Sequence, residues 1–241
     1  MKTENIKISI SNLTKSFGNK EVLKGINLDI KTGESIVILG SSGCGKTVFI
    51  KILANLLKQT SGTVKIFSNR NKPQISFLFQ LNALFDSYPN WKNICLANIE
   101  NHGMKKNEAV KLAKSLLHKV GLGNEVAHLY PSDISGGMQK RVALARCIVN
   151  NPEIIFFDEP TSGLDPLTSL KISKLIREVG KDQNITKISI MHDIDCAKIV
   201  ADKIVFLHEG KIEWSGIPDE METSQNQLLN IFLKKIHSEF I

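Results

Sequence analysis

Apolar and polar residues alternate along Lys7-Ile8-Ser9-Ile10, Ile26-Asn27-Leu28-Asp29-Ile30 and Thr63-Val64-Lys65-Ile66-Phe67. That is the period of strands with one buried face, and together these stretches predict an antiparallel sheet. A second kind of segment is mostly apolar without alternation: Ser35-Ile36-Val37-Ile38-Leu39, residues 74–80 and Ile154-Ile155-Phe156-Phe157, with further strands expected over residues 187–191 and 203–207. Runs of that length suit strands covered on both faces, as in a parallel sheet. Between them, apolar residues recur at helical spacing over 48–57, 91 to about 120, 135–149, 166–179 and 194–200. In the second of these, Ala109, Leu112, Ala113, Leu116 and Leu117 share one stripe, and Gly121 and Gly123 stop it.

Strands alternating with helices predict an α/β fold with a parallel sheet between helical layers. The helical stretch from about 82 to 150 interrupts the alternation and reads as an insert. One domain is expected over 1–241, with core and β parts at about 5–86 and 151–215, a helical part at about 87–150 and a C-terminal extension at about 217–241. Within that extension, residues 225–236 carry the pattern of a short amphipathic helix. There is no internal repeat and no low-complexity tract.

Bulk properties narrow the classes. The 241 residues allow one large α/β domain or two small ones, and 42% hydrophobic content is enough for a sizeable core. The formal net charge of +7 would suit nucleic acid, anionic lipid or nucleotide phosphates. The lysines are scattered, with only short pairs such as Lys105-Lys106 and Lys234-Lys235. They read as solvated faces, and no nucleic-acid partner is expected. Cys44, Cys95, Cys147 and Cys196 are widely spaced, so neither a metal site nor a disulfide framework is expected, and a reducing compartment accounts for them. The N-terminus enters its first strand without an apolar leader, so no signal peptide is expected. No apolar stretch approaches the roughly 18 residues needed to span a bilayer.

The chemistry concentrates at Gly40-Ser41-Ser42-Gly43-Cys44-Gly45-Lys46-Thr47, which fits G-x-x-x-x-G-K-[ST] between a strand and a helix. Glycines let successive N–H groups turn inward around an anion, and the helix N-terminus adds partial positive charge. Lys46 can reach the β- and γ-phosphates, and the Thr47 hydroxyl can ligate Mg²⁺. Cys44 occupies a variable position of the loop and is not read as a nucleophile. Asp158 and Glu159 follow an apolar strand, which delivers them to the carboxyl edge of a parallel sheet, where ligands bind. There Asp158 would sit beside Mg²⁺ and Glu159 would polarise a water. An acidic strand end facing solvent is the plain alternative, and the phosphate loop in the same chain decides against it. Ser135-Gly136-Gly137-Met138-Gln139 opens a helix containing Arg141 and Arg146. Alone it is an ordinary glycine-bearing N-cap, although its N–H groups could meet an anion.

In this order along the chain, these residues resemble the ATP-binding-cassette (ABC) ATPases, and the resemblance covers nearly the whole length. Ile134-Ser135-Gly136-Gly137-Met138 is similar to the family's signature loop, with Met138 where most members carry glutamine. Gln80 stands at the family's Q-loop glutamine, Ser162-Gly163-Leu164-Asp165 at the D-loop and His192 at the switch histidine. Phe17 falls where an aromatic residue, commonly tyrosine, stacks on adenine. The resemblance implies a P-loop NTPase of the ABC type, with a mixed or parallel sheet core, an antiparallel β subdomain and a helical subdomain insert. It implies ATP and Mg²⁺ as cofactors and two copies clasping ATP head to tail. Gly40, Ser41, Ser42, Gly43, Cys44, Gly45, Lys46, Thr47 and Phe17 would bind the nucleotide from one copy, and Ser135, Gly136, Gly137 and Asp165 would complete the site from the interface. Thr47, Gln80 and Asp158 would attend the metal, and Glu159, His192, Gln80 and Lys46 would serve hydrolysis.

The subtype is legible in finer detail. Phe79-Gln80-Leu81-Asn82-Ala83-Leu84-Phe85-Asp86-Ser87 resembles the segment after the Q-loop in ATPases of MCE-type lipid transporters, the Mla (maintenance of lipid asymmetry) system. Met138 followed by Gln139-Lys140-Arg141-Val142-Ala143-Leu144-Ala145-Arg146, and Thr161-Ser162-Gly163-Leu164-Asp165-Pro166, are similar to that group too. This implies a peripheral subunit on the cytoplasmic face of the inner (plasma) membrane. Its partners would be integral membrane permease subunits, a second copy of itself, an MCE-domain lipid-binding subunit and a small regulatory subunit. Phe85 and Trp91 are either core residues or the lining of a groove for the permease. Another transported substrate, such as a ribonucleotide or amino acid, is the alternative. A soluble cassette of translation or DNA repair is a more distant one, since such proteins carry two cassettes or long coiled-coil insertions.

Overall fold

The alternating segments pair as expected. In the computed structural model, which describes residues 5–239, β1 (Ile6–Phe17) and β2 (Lys20–Lys31) form a long hairpin, and β4 (Ser61–Ile66) pairs with the other edge of β1. All pairings in this sheet, order β2-β1-β4, are antiparallel. Its inward side chains include Ile8, Ile10, Leu23 and Ile26. Residues 1–4, where the sequence predicts a leaderless entry, and the end of the C-terminal extension, 240–241, lie outside the described residues.

The apolar runs and the later strands build a second sheet, order β5-β6-β7-β3-β8-β9. It comprises β3 (Ser35–Leu39), β5 (Ile75–Leu78), β6 (Ile154–Asp158), β7 (Thr186–Ile190), β8 (Lys203–His208) and β9 (Lys211–Gly216). Every neighbouring pair is parallel except β8 with β9. The sheet is therefore mixed, and β9 is an antiparallel edge strand that the sequence reading did not anticipate. Strand period explains why β3 and β6 are apolar at successive positions. Val37, Leu39, Ile155 and Phe157 enter a core on one face, while Ile36, Ile38, Ile154 and Phe156 enter a core on the other.

The first of those cores is covered by helices, among them α2 (Asn90–His102), α3 (Lys106–Lys119) and α4 (Gly136–Ile148). Periodicity predicts one helix from 91 to about 120, but the chain breaks it. Gly103 closes α2 in the left-handed region, φ 64°, and α3 starts afresh after Lys105. The second core lies between the two sheets and includes α1 (Lys46–Leu53). The remaining helices are α5 (Pro166–Glu178), α6 (Ile194–Val200) and α7 (Gln227–Glu239), which begins two residues later than the predicted amphipathic segment and runs three residues past its end. Side-chain caps fix several starts. Ser135 accepts from the Met138 N–H at the head of α4, Asp165 from Thr168 at α5, and Asp193 from Cys196 at α6. At its other end α5 is capped from within the sheet, because buried Lys187 of β7 donates to the carbonyls of Ile176 (3.1 Å), Arg177 (2.7 Å) and Val179 (3.1 Å).

Candidate nucleotide site

β3 runs straight into the loop of residues 40–45, which opens α1. Two glycines are dictated by neighbours. Gly40 has φ 151°, and a Cβ there would lie 2.1 Å from the Leu207 carbonyl oxygen of β8. Gly45 has φ 108°, and a Cβ there would lie 2.9 Å from Leu23 Cδ2 of β2. Strands of both sheets thus press on the loop, and only residues without a side chain fit. Gly45 offers no side-chain cap, so the first N–H groups of α1 remain available to an anion.

Lys46 is buried and its Nζ donates to the carbonyls of Gly40 (2.7 Å) and Ser41 (2.9 Å). Burial pulls its proton affinity down, against the opposing pull of Cys44, Glu159 and Asp158. Burial pushes the Cys44 thiol up, outweighing Lys46, so the thiol stays protonated and non-nucleophilic. Thr47 Oγ1 donates to Asp158 Oδ1 at 3.4 Å. Asp158 ends β6, buried, and desolvation together with the charge of Glu159 raises its carboxyl above the ordinary range, against Lys51, Thr47 and Lys46.

Glu159 turns away from the strand in the left-handed region, φ 51°, a strain of about 1–3 kcal/mol for a non-glycine residue. The turn hands its carboxylate to residues from distant loops. His192 Nε2 is 2.5 Å from Oε1, and Gln80 Nε2 donates to Oε2 at 2.9 Å. A cleft of about 310 Å³ brings Val22, Ser42, Lys46, Thr47, Glu159 and His192 together. The hard oxygens of Thr47 and Asp158 suit Mg²⁺, which uses few protein ligands and takes the rest from phosphate and water. Among the described residues no cluster of three or more His, Cys, Asp or Glu could hold a metal by itself.

The other sequence-predicted residues lie elsewhere. Gln80 is two positions past the end of β5 rather than at its last residue, and it bonds Glu159 and Ser162. The Phe17 ring is half exposed at the end of β1 with Lys15 Nζ 4.7 Å over it, and it does not line the cleft. Ser135, Gly136 and Gly137 sit at the exposed start of α4, and Asp165 at that of α5, also away from the cleft. The Thr168 hydrogen bonds hold the Asp165 carboxyl below its usual range. Sequence reasoning assigned no role to Val22, Asn93 or Lys140. For Lys140 a signal existed: it shares a helical face with Leu144 and Cys147, both buried, so a charge sits on an apolar stripe.

A phosphate loop beneath paired acids at the carboxyl edge of the parallel strands of a sheet defines a P-loop nucleoside triphosphatase. The family described as "ABC transporter" matches residues 23–162. The chain is 36% identical to Protein TRIGALACTOSYLDIACYLGLYCEROL 3, chloroplastic, of Arabidopsis thaliana, over 93% of this chain and 72% of that one. It is 35% identical to the glutamine transport ATP-binding protein GlnQ of Escherichia coli (strain K12), over 95% and 99%. The dimeric post-hydrolysis structure of the ATP-binding cassette MJ0796, bound to ADP and Pi, superposes with a TM-score of 0.77 at 32% identity, covering 88% and 98%. The chain belongs to the ABC transporter family, as an ATP-binding cassette subunit that binds and hydrolyses ATP.

Proposed function

We propose that this cassette powers phospholipid movement across a cell envelope, as the ATPase of an MCE-type transporter. The transport subtype rests on the resemblance of the segment Phe79 to Ser87 and of the helix after Met138. A relative named for the glycolipid trigalactosyldiacylglycerol is in keeping with it. Two copies act head to tail. The observation that carries this arrangement is the separation of the parts. Lys46 and Glu159 line one cleft, while Ser135, Gly136, Gly137 and Asp165 stand away from it, so one chain does not complete its own pocket. A second copy supplies the signature loop, and the dimeric MJ0796 cassette is a precedent.

In this reading the phosphates of ATP displace the Gly40 and Ser41 carbonyls from Lys46 Nζ and take its charge together with the open N–H groups of α1. Phe17 stacks on the adenine ring. Thr47, Asp158 and Gln80 attend Mg²⁺, which when bound supplies charge neutralisation at the β- and γ-phosphate oxygens. Glu159 accepts the proton of the attacking water, and His192 and Gln80 hold its carboxylate in place. Ser135 and Gly137 of the second copy donate to the γ-phosphate, and Asp165 links the two sites.

Among the described residues no helix is long and apolar enough to cross a membrane. Permease subunits supply the spans, and this chain binds them peripherally at the cytoplasmic face of the inner membrane. Phe85, half exposed, meets the permease, while Trp91 is half-buried against the helical core. The near-full-length similarity to GlnQ favours an amino-acid substrate as the second reading.

Affinity purification of the tagged chain from detergent-solubilised membranes tests the subtype. Recovery of a permease together with an MCE-domain lipid-binding subunit is the expected result. A polar amino-acid permease in their place would overturn the phospholipid reading, and ribosomes in their place would overturn transport altogether.

A further inference from the structure

The loop that carries Gln80 is tied to the helical layer by side chains that do not line the cleft. Lys140 of α4 is 5% exposed, and its Nζ donates to the Gln80 carbonyl. Six residues along the same helix, Arg146 donates from Nη2 to the Asn82 carbonyl at 2.5 Å and from Nη1 to the Ala83 carbonyl at 2.7 Å. Asn82 and Ala83 occupy the left-handed region, φ 60° and 48°, which non-glycine residues keep only where their surroundings hold them. At the far end of the loop, fully buried Asn93 of α2 accepts from the Phe85 N–H and donates to the carbonyls of Phe85 and Tyr88.

Buried cations are a costly way to fill space, and an apolar side chain of similar volume commonly packs as well or better. Lys140 is buried and Arg146 half-buried, and burial lowers the proton affinity of both, against the charge of Glu159 at Lys140. What an apolar residue could not do is hold particular backbone carbonyls. The carbonyls held are those of Gln80 and the residues just beyond it. The Gln80 side chain then crosses to Glu159, 79 positions away in the chain.

We propose that Lys140 and Arg146 are positioning residues for ATP hydrolysis: they bind the Gln80 loop to α4, so that the placement of α4 decides whether the Gln80 amide meets Glu159. This rests on the reading of Glu159 as the base and Gln80 as its orienter. Because α4 begins at Ser135, the helix that presents the signature loop is also the helix that aims the base. A shift of α4 reaches the hydrolytic carboxylate through two cationic ties and one amide.

The test is steady-state ATP hydrolysis by the purified full chain, with unfolding midpoints measured in parallel. Lys140→Met should lower kcat by about tenfold while KM for ATP stays within about twofold, because misaiming a positioned group costs rate more than binding. Lys140→Arg, which keeps the charge and the donors, should recover most of the loss. In a Gln80→Ala background, Lys140→Met should cost almost nothing more, as expected of groups acting through one another. Arg146→Lys should also lower kcat, since an ammonium cannot span both carbonyls as the guanidinium fork does, and it serves if Lys140→Met unfolds. An equal loss from Lys140→Met with and without Gln80, or a loss confined to KM, would overturn the proposal. Near-normal turnover in Glu159→Gln would instead overturn the reading of the base, so the two failures are distinguishable.

Discussion

His192 Nε2 lies 2.5 Å from Glu159 Oε1, joining the loop after β7 to the end of β6 across the edge of the sheet. With Gln80 on the other carboxylate oxygen, Glu159 is held at both oxygens by loops that follow two different strands, β5 and β7.

Glu159→Gln keeps the size and hydrogen-bonding capacity of the side chain but removes the proton acceptor. Turnover should fall by about 10²-fold or more, while ATP still binds and the closed dimer accumulates. Phosphate release and size-exclusion chromatography with ATP measure both.

Lys46 is the cation nearest the loop carbonyls, and its removal leaves the phosphates with backbone donors alone. Lys46→Ala should weaken nucleotide binding by about tenfold or more, the worth of a charge-assisted contact. Titration with a fluorescent nucleotide gives the number. Unchanged affinity would contradict the phosphate-loop assignment.

Lys187 makes a stability prediction. Burial pushes its amine from 10.5 to about 8 in the folded protein. Between those values the unfolded chain binds more protons than the folded one, so this group's contribution to stability rises with pH. Relative to Lys187→Met, the wild type should therefore gain stability from pH 8 to 10.5, by about 3 kcal/mol at most. Denaturant unfolding at the two ends of that range reads the change. A gap that does not move with pH would mean the three carbonyls keep the ammonium at its ordinary proton affinity.

Much of this was legible in the sequence because the patterns were local. Apolar strands ending at Leu39 and Asp158 announce which edge of the sheet carries the chemistry, and Ser135, Asp165 and Asp193 announce helix starts. What escaped was set by tertiary contacts. The helix expected over 91 to about 120 gave way where Gly103 could wind left-handed and α2 could fold back on α3. The strand β9 was hidden because Lys211-Ile212-Glu213-Trp214 has no signal beyond weak alternation and gains its partner only from β8. The ties from Lys140 and Arg146 to the Gln80 loop span some 60 positions, and no local period reports such a distance.

The backward-wound turn at Glu159 has a consequence for anyone seeking a sturdier form of this molecule. Glycine would sit there without complaint, and a search guided by thermal resistance alone would be drawn to that exchange. It would then discard the one carboxylate that two remote loops have been arranged to grip. Robustness and chemistry are opposed at a single backbone angle.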